Sequence, residues 1–257
     1  MSCAGAGHVP ETVITTAGSR ERAHPAGLGA AGLGEVTYPE VGAPTVLVPV
    51  GSTEQHGPHL PLDTDTRVAV AVAGRAAAAD SSLLVAPAVA FTASGEHEGF
   101  PGTISVGHDA LYAVLVELGR SACRWAARLV FVNGHGGNLP TVPAAVQQLC
   151  AEGRAVAWFG CTVAGGDAHA GRTETSIMLA LAPQLVRTER AAAGSTAPLH
   201  ELIGELRAGG VRAVSPNGVL GDPAGASAAE GEDLLAAMTA ALVRGLAGWR
   251  PGGDGRL

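Results

Sequence analysis

A layered α/β fold built on parallel strands is predicted for this chain by three observations. Short continuous apolar runs alternate with longer segments of helical period, the pattern of strands buried on both faces. Hydrophobic residues make up 47% of the 257 residues and charged residues 15%, ample for a buried core and unlike a disordered chain. Polar clusters rich in histidine and carboxylate follow three of the apolar runs, where an open α/β sheet places its ligands.

Taken in order, residues 1–40 are rich in Gly, Ala and Pro, show no sustained period, and are expected to form a flexible leader. Gly27, Gly29 and Gly32 satisfy G-x-G-x-x-G, but no β-branched run precedes them, so a dinucleotide site is not indicated. A single domain is expected over 41–250, since this length fits one large α/β unit. It opens with the strand TVLVPV at 45–50, followed by an Ala/Val-rich helical stretch after Asp65 and a strand LLVAPAVAF from Leu83. The helical ALYAVLVELGRSACRWAA leads into the strand RLVFV at 128–132. Then come the helical PAAVQQLCAEG, the strand AVAWFGCTV and the helical SIMLAL. The segment SAAEGEDLLAAMTAALVRGLAGW reads as a packing helix with Ser227 as N-cap and Glu230 three residues on. The tail 251–257, with Pro251 and three glycines, is expected to be loose.

Composition excludes several functions. The net charge of −7 offers no footprint for nucleic acid or anionic lipid. All 16 basic residues are Arg and none is Lys, which excludes Schiff-base chemistry and a P-loop lysine. Cys3, Cys123, Cys150 and Cys161 form no C-x-x-C pair, which argues against a thiolate zinc site and suits a reduced cytoplasm. Neither a signal-peptide pattern nor a transmembrane run is evident, so a protein that neither spans nor binds a membrane is expected. No G-x-S-x-G elbow supports serine catalysis.

The chemistry concentrates in four segments. GSTEQHGPHLPLDTDT, after the first strand, carries Glu54, His56, His59, Asp63 and Asp65 within twelve residues. In extended chain Glu54 and His56 point to one side, and a carboxylate–imidazole set without thiolate suits Zn, Mn or Fe(II). Asp63 is better read as a polar loop or helix-capping residue. VNGHGGN sets His135 at the end of another strand, among glycines that let backbone approach a ligand closely. GGDAHAGRTETS supplies Asp167, His169 and Glu174 at a third strand-to-helix crossover, with a capping role open for Glu174. GEHEGFPGTIS offers Glu96, His97 and Gly102 as weaker candidates for a pocket border.

Over roughly residues 45–250, the segments VPVGSTEQHGPHLPLDTDT, VNGHGGN, GFPGTIS and HAGRTETS resemble the creatininase family of metal-dependent amidohydrolases. The E-Q-H-G-x-H-x-x-x-x-x-D segment with the later N-G-H carries most of the likeness. With GEHEGFPGTIS, GGDAHAGRTETS and SPNGVLGDP, it narrows toward the family's peptidases of mycofactocin maturation. The resemblance implies a three-layer α/β/α fold with a mostly parallel central sheet. It implies two divalent ions per subunit, Zn, Fe(II) or Mn, on Glu54, His56, Asp65 and His135, with Asp65 bridging. Creatininase has a further carboxylate where this chain has Gly137, and the vacant ligand position is assigned to Glu174. His169 matches the histidine that acts on substrate and is expected to protonate the departing amine, while Glu96, His97, Gly136 and Asn138 are expected to bind substrate.

The reaction so implied removes a C-terminal, already cross-linked Val-Tyr dipeptide from a modified ribosomal precursor peptide by amide hydrolysis, in a homo-oligomer of the cytoplasm. Two alternatives stay open. One is a relative acting on a small cyclic amide or formamide. The other is a non-catalytic metal-dependent binding or scaffold protein.

Overall fold

The apolar run Thr45–Val50 forms strand β1, and three further runs pair with it: β2 (Leu83–Val85), β3 (Arg128–Asn133) and β4 (Val156–Gly160). The computed structural model describes residues 32–257, and in it the strands lie in the order β2-β1-β3-β4, all parallel. Because successive side chains point to opposite faces, each strand feeds two cores. Val46, Val48, Leu129, Phe131, Val156 and Trp158 face helices α2 (Gly107–Ala122) and α3 (Val142–Ala151). Leu47, Val130, Val132, Ala157 and Phe159 face α1 (Thr64–Ala79), α4 (Arg172–Leu181) and α6 (Ala228–Gly248). The result is the expected three-layer α/β/α arrangement. Leu47 and Phe131 are wholly buried, one to each core, and truncating such a side chain costs about 2–5 kcal/mol.

Local signals set the helix limits. In α6 the Ser227 hydroxyl accepts from the Glu230 N–H at 3.2 Å, the cap read from sequence. The run after Leu83 is a strand for only three residues, ending before Pro87, which has no N–H to donate. Val89 still reaches β1 by donating to the Pro49 carbonyl at 2.9 Å.

Two segments depart from expectation. The end of the chain is not loose: Gly255 and Leu257 clasp Trp158, whose N–H donates to the Gly255 carbonyl at 3.0 Å while its carbonyl accepts from Leu257 at 2.9 Å. The Trp158 indole also donates to the Asp254 carbonyl at 3.0 Å. The exposed edge of β4 needs partners for its backbone groups, and the tail supplies them. The second departure is helix α5 (Leu199–Val214), bent where Gly210 takes a φ of +67°. Sequence reading assigned no element between 182 and 226, because only Val211 of this helix is buried and Gly204, Gly209 and Gly210 interrupt its pattern. The expected leader lies outside the described residues as far as residue 31, as do Gly27 and Gly29 of the G-x-G-x-x-G pattern. Gly32 is described, and bridges Val85 of β2. Among the described residues no helix is long and apolar enough to cross a membrane.

Candidate metal centre

The loops leaving β1 and β3 and the turn opening α1 meet at one edge of the sheet, where the strands present their carboxyl ends. From the β1 loop come Glu54 and His56, from the first turn of α1 Asp65, and from just beyond β3 His135, all four buried. Asp65 stands between two histidines: its Oδ1 lies 3.0 Å from His56 Nε2 and its Oδ2 3.0 Å from His135 Nδ1. The Ser52 hydroxyl donates to the same Oδ2 at 2.8 Å. Glu54 spreads its oxygens likewise, Oε2 at 3.2 Å from His135 Nε2 and Oε1 at 3.3 Å from His97 Nε2.

Residues from the segment before α4 and its first turn close the centre. His169 turns Nδ1 toward Glu54 Oε1 at 3.8 Å, and Glu174 Oε2 lies 3.8 Å from His56 Nε2. That same Glu174 oxygen accepts at 2.6 Å from the Ala170 N–H, which precedes the helix, so Glu174 ties down the incoming segment beside His56 and does not cap the first turn of α4. Three donor sets are each compact enough for one ion: Glu54 with Asp65 and His135, His56 with His169 and Glu174, and Glu54 with His97 and His169.

The charges explain why these groups sit together. Burial would strip His56 of its proton, but Asp65 beside it prevails and pushes its pKa up to about 10. His135 rises to about 9 by the same contest, with Glu54 and Asp65 overcoming burial. Asp65, though buried, is driven well below the usual carboxylate range by His56 and His135. Burial pushes Glu54 and Glu174 up to about 7. His97 falls to about 3 and His169 well below its ordinary value, through burial and then the positive charges of their neighbours.

The donor set fits a divalent cation. Both Glu54 carboxylate oxygens are buried without a hydrogen-bond partner, a costly state for an anion unless a cation satisfies it. Imidazole and carboxylate without thiolate suits Zn, Mn or Fe(II).

The remaining candidates sort by position. Glu96, His97 and Gly136 line a cavity of about 580 Å³ that reaches His135 and His169. Its far wall is α5, through Leu199, Ile203, Leu206 and Arg207. Asn138, expected at the substrate, is not among the residues that line the cavity. It is fully buried, donating to the Gly51 carbonyl at 3.0 Å and to Asn133 Oδ1 at 3.1 Å. Asp167 caps α4, accepting from the Arg172 N–H and, at 3.0 Å, from the Thr173 N–H. Asp63 pairs with Arg67 one turn on, at 2.7 Å, and His59 bonds Thr175 at 2.9 Å away from the centre. Gly137 is explained by its neighbours, since a Cβ there would collide with the Glu96 carboxylate and the His135 ring. Glu96 Oε1 itself stands 3.6 Å from His135 Nε2. Sequence reasoning missed Ser52, the α5 wall and the role of Gln55, although Gln55 lies inside the E-Q-H signature.

A buried histidine–carboxylate centre at the carboxyl edge of a parallel sheet, opening into a cavity, is that of an α/β protein with the donors for a divalent ion beside a substrate-sized space. Residues 34–246 match the family described as creatininase, creatinine amidohydrolase. A mycofactocin precursor peptide peptidase of Mycobacterium ulcerans is 56% identical over 222 residues, covering 83% of this chain and 89% of that protein. The creatinine amidohydrolase of Pseudomonas putida is 29% identical over 202 residues, 62% of this chain and 74% of that protein. The solved structure "Creatininase Mn" superposes with a TM-score of 0.72 at 26% identity, covering 87% of this chain and 100% of the other. The chain belongs to the creatininase family, and it is an amidohydrolase.

Proposed function

We propose that this chain hydrolyses an amide bond of the modified ribosomal precursor peptide of the mycofactocin system, releasing its C-terminal cross-linked Val-Tyr unit. The observation that carries this reading is the cavity of about 580 Å³ that opens directly on His135 and His169, with the apolar residues of α5 opposite. That volume suits a group larger than a single small ring, and the apolar wall suits an aromatic end. The likeness to the Mycobacterium ulcerans peptidase supports it independently.

In this reading Glu54, Asp65 and His135 would hold one divalent ion and His56 and Glu174 would serve a second, with Asp65 between them, its two oxygens facing opposite imidazoles. Ions such as Zn, Mn or Fe(II) bound there supply Lewis acidity, which lowers the pKa of water and polarises an amide carbonyl. His169 handles the proton. Its burial keeps the ring neutral near pH 7, so Nδ1 first accepts a proton from the attacking water. It then returns that proton to the departing amine nitrogen as the C–N bond breaks. Glu96, His97 and Gly136 border the cavity where the peptide backbone would be held.

A homo-oligomer in the cytoplasm is part of the same reading. Phe91, Ile104 and Val106 lie exposed around the Thr92–Ser105 bridge, an apolar patch suited to a subunit contact. Cys123, Cys150 and Cys161 are free thiols, as a reducing compartment favours.

Incubating the metal-loaded protein with modified precursor peptide, followed by mass spectrometry, tests the proposal. Loss of the terminal dipeptide unit is expected. Turnover of creatinine with an intact peptide would favour the small cyclic amide instead, and peptide binding without cleavage would favour a scaffold.

A further inference from the structure

We propose that Gln55 is a positioning residue that sets which ring nitrogen carries hydrogen on both His169 and His97. Its side chain is buried between the two imidazoles, flanked in sequence by Glu54 and His56. A count of donors and acceptors settles its orientation. The Gly57 backbone N–H can only donate, and it reaches Gln55 Oε1 at 2.9 Å. The Gly218 carbonyl can only accept, and it receives Gln55 Nε2 at 3.0 Å. Oxygen and nitrogen of the amide are therefore told apart by their partners.

The amide nitrogen has two hydrogens. One goes to Gly218, and the other faces His97 Nδ1 at 2.8 Å. His97 Nδ1 must accept, so in the neutral ring the hydrogen sits on Nε2, the atom 3.3 Å from Glu54 Oε1. No amide hydrogen is left for His169 Nε2, 3.1 Å away. That nitrogen lies 2.8 Å from the Gln55 backbone carbonyl, which only accepts, so His169 carries its hydrogen on Nε2. Its Nδ1 is then a bare lone pair turned toward the centre, 3.8 Å from Glu54 Oε1. One residue thus turns a proton-accepting nitrogen of His169 and the protonated nitrogen of His97 toward the same buried carboxylate oxygen, at 3.8 and 3.3 Å and without a hydrogen bond to it. The backbone around it is built for this: Gly218 has a φ of +81°, and a Cβ there would collide with the Gln55 amide.

The side-chain amide fixes His97 and the backbone carbonyl fixes His169, and neither tautomer depends on the proposed role of His169 in hydrolysis. Nitrogen-15 spectra of ring-labelled histidine in the zinc-loaded protein test both, with signals assigned by His97→Gln and His169→Gln. In the parent, hydrogen on Nε2 of both rings is expected. Gln55→Met keeps the side-chain length and removes both amide hydrogens, and Gln55→Glu replaces them with an acceptor. In each variant His97 is expected to lose its fixed Nε2–H form, while His169, held by the Gln55 backbone carbonyl that every variant keeps, retains hydrogen on Nε2 and zinc content holds. Hydrogen on His169 Nδ1 in the parent, or an unchanged His97 in both variants, overturns the proposal. Should the variants not fold, the parent spectrum still decides. Should the expected tautomers be found while peptide is not cleaved by the parent, the proposed substrate fails and the positioning role stands.

Discussion

Replacing Asp65 with alanine removes one carboxylate that faces two histidines at once. Its oxygens lie 3.0 Å from His56 Nε2 and 3.0 Å from His135 Nδ1, and all three side chains are buried. Breaking such a buried set leaves imidazoles that must stay charged without a partner or give up their protons, at a cost of about 3–5 kcal/mol. For a domain of this size that corresponds to a fall in Tm of roughly 6–20 °C near pH 7. The sign with pH follows from His56, whose pKa is raised from 6.5 to about 10. Its stabilisation is complete below pH 6.5 and is lost as pH rises through 10, so the gap in Tm between parent and Asp65→Ala should close at high pH. Metal analysis gives the second readout: because both proposed ions share Asp65, the variant is expected to retain less than half the metal of the parent. Thermal melts of chelated protein at pH 7 and above pH 10, with elemental analysis of reconstituted protein, provide both numbers. A variant that keeps a full complement of metal and melts with the parent would refute the shared-carboxylate centre.

Metal uptake at pH 7 should release more than one proton per chain, because His56 and His135 are charged there and must bind as neutral rings; calorimetry in buffers of different ionisation enthalpy measures it. His169→Ala should lower kcat by about 10²–10⁴-fold while metal content holds, and equal loss of metal would make His169 a ligand rather than the proton carrier. Ile203→Glu on the α5 wall should raise KM for an apolar peptide end with little change in metal content or melting; an unchanged KM would separate α5 from substrate binding. Removing residues 252–257 uncovers Trp158 and the β4 edge, with an expected loss of about 1–3 kcal/mol and faster aggregation, followed by denaturant titration and light scattering.

The alternation of buried strands with helices was legible in the sequence because periodicity is local, and so was the placement of Glu54, His56 and His135 after strands. Asp65 was legible too, since its spacing from His56 spans one short turn. What the sequence left open were choices between similar residues. Asp167 and Glu174 belong to one polar cluster, yet Asp167 caps α4 while Glu174 reaches His56. Asn138 and Gly136 are two residues apart, but one amide is consumed inside the fold and the other position lines the cavity. The clasp of the tail on Trp158 joins residues 97–99 positions apart, and the Gln55 amide meets His97, His169 and Gly218 from three distant segments.

Residue identity alone therefore determined the kind of chemistry, carboxylate and imidazole at the ends of parallel strands, and the order of the layers. The tertiary structure alone decided which nitrogen faces which oxygen, which carboxylates are caps, and which helix walls the cavity. The reason is physical: strand and helix periods arise from backbone geometry over a few residues. Hydrogen-bond partners and charge states arise from burial, which exists only after segments remote in the chain have packed together.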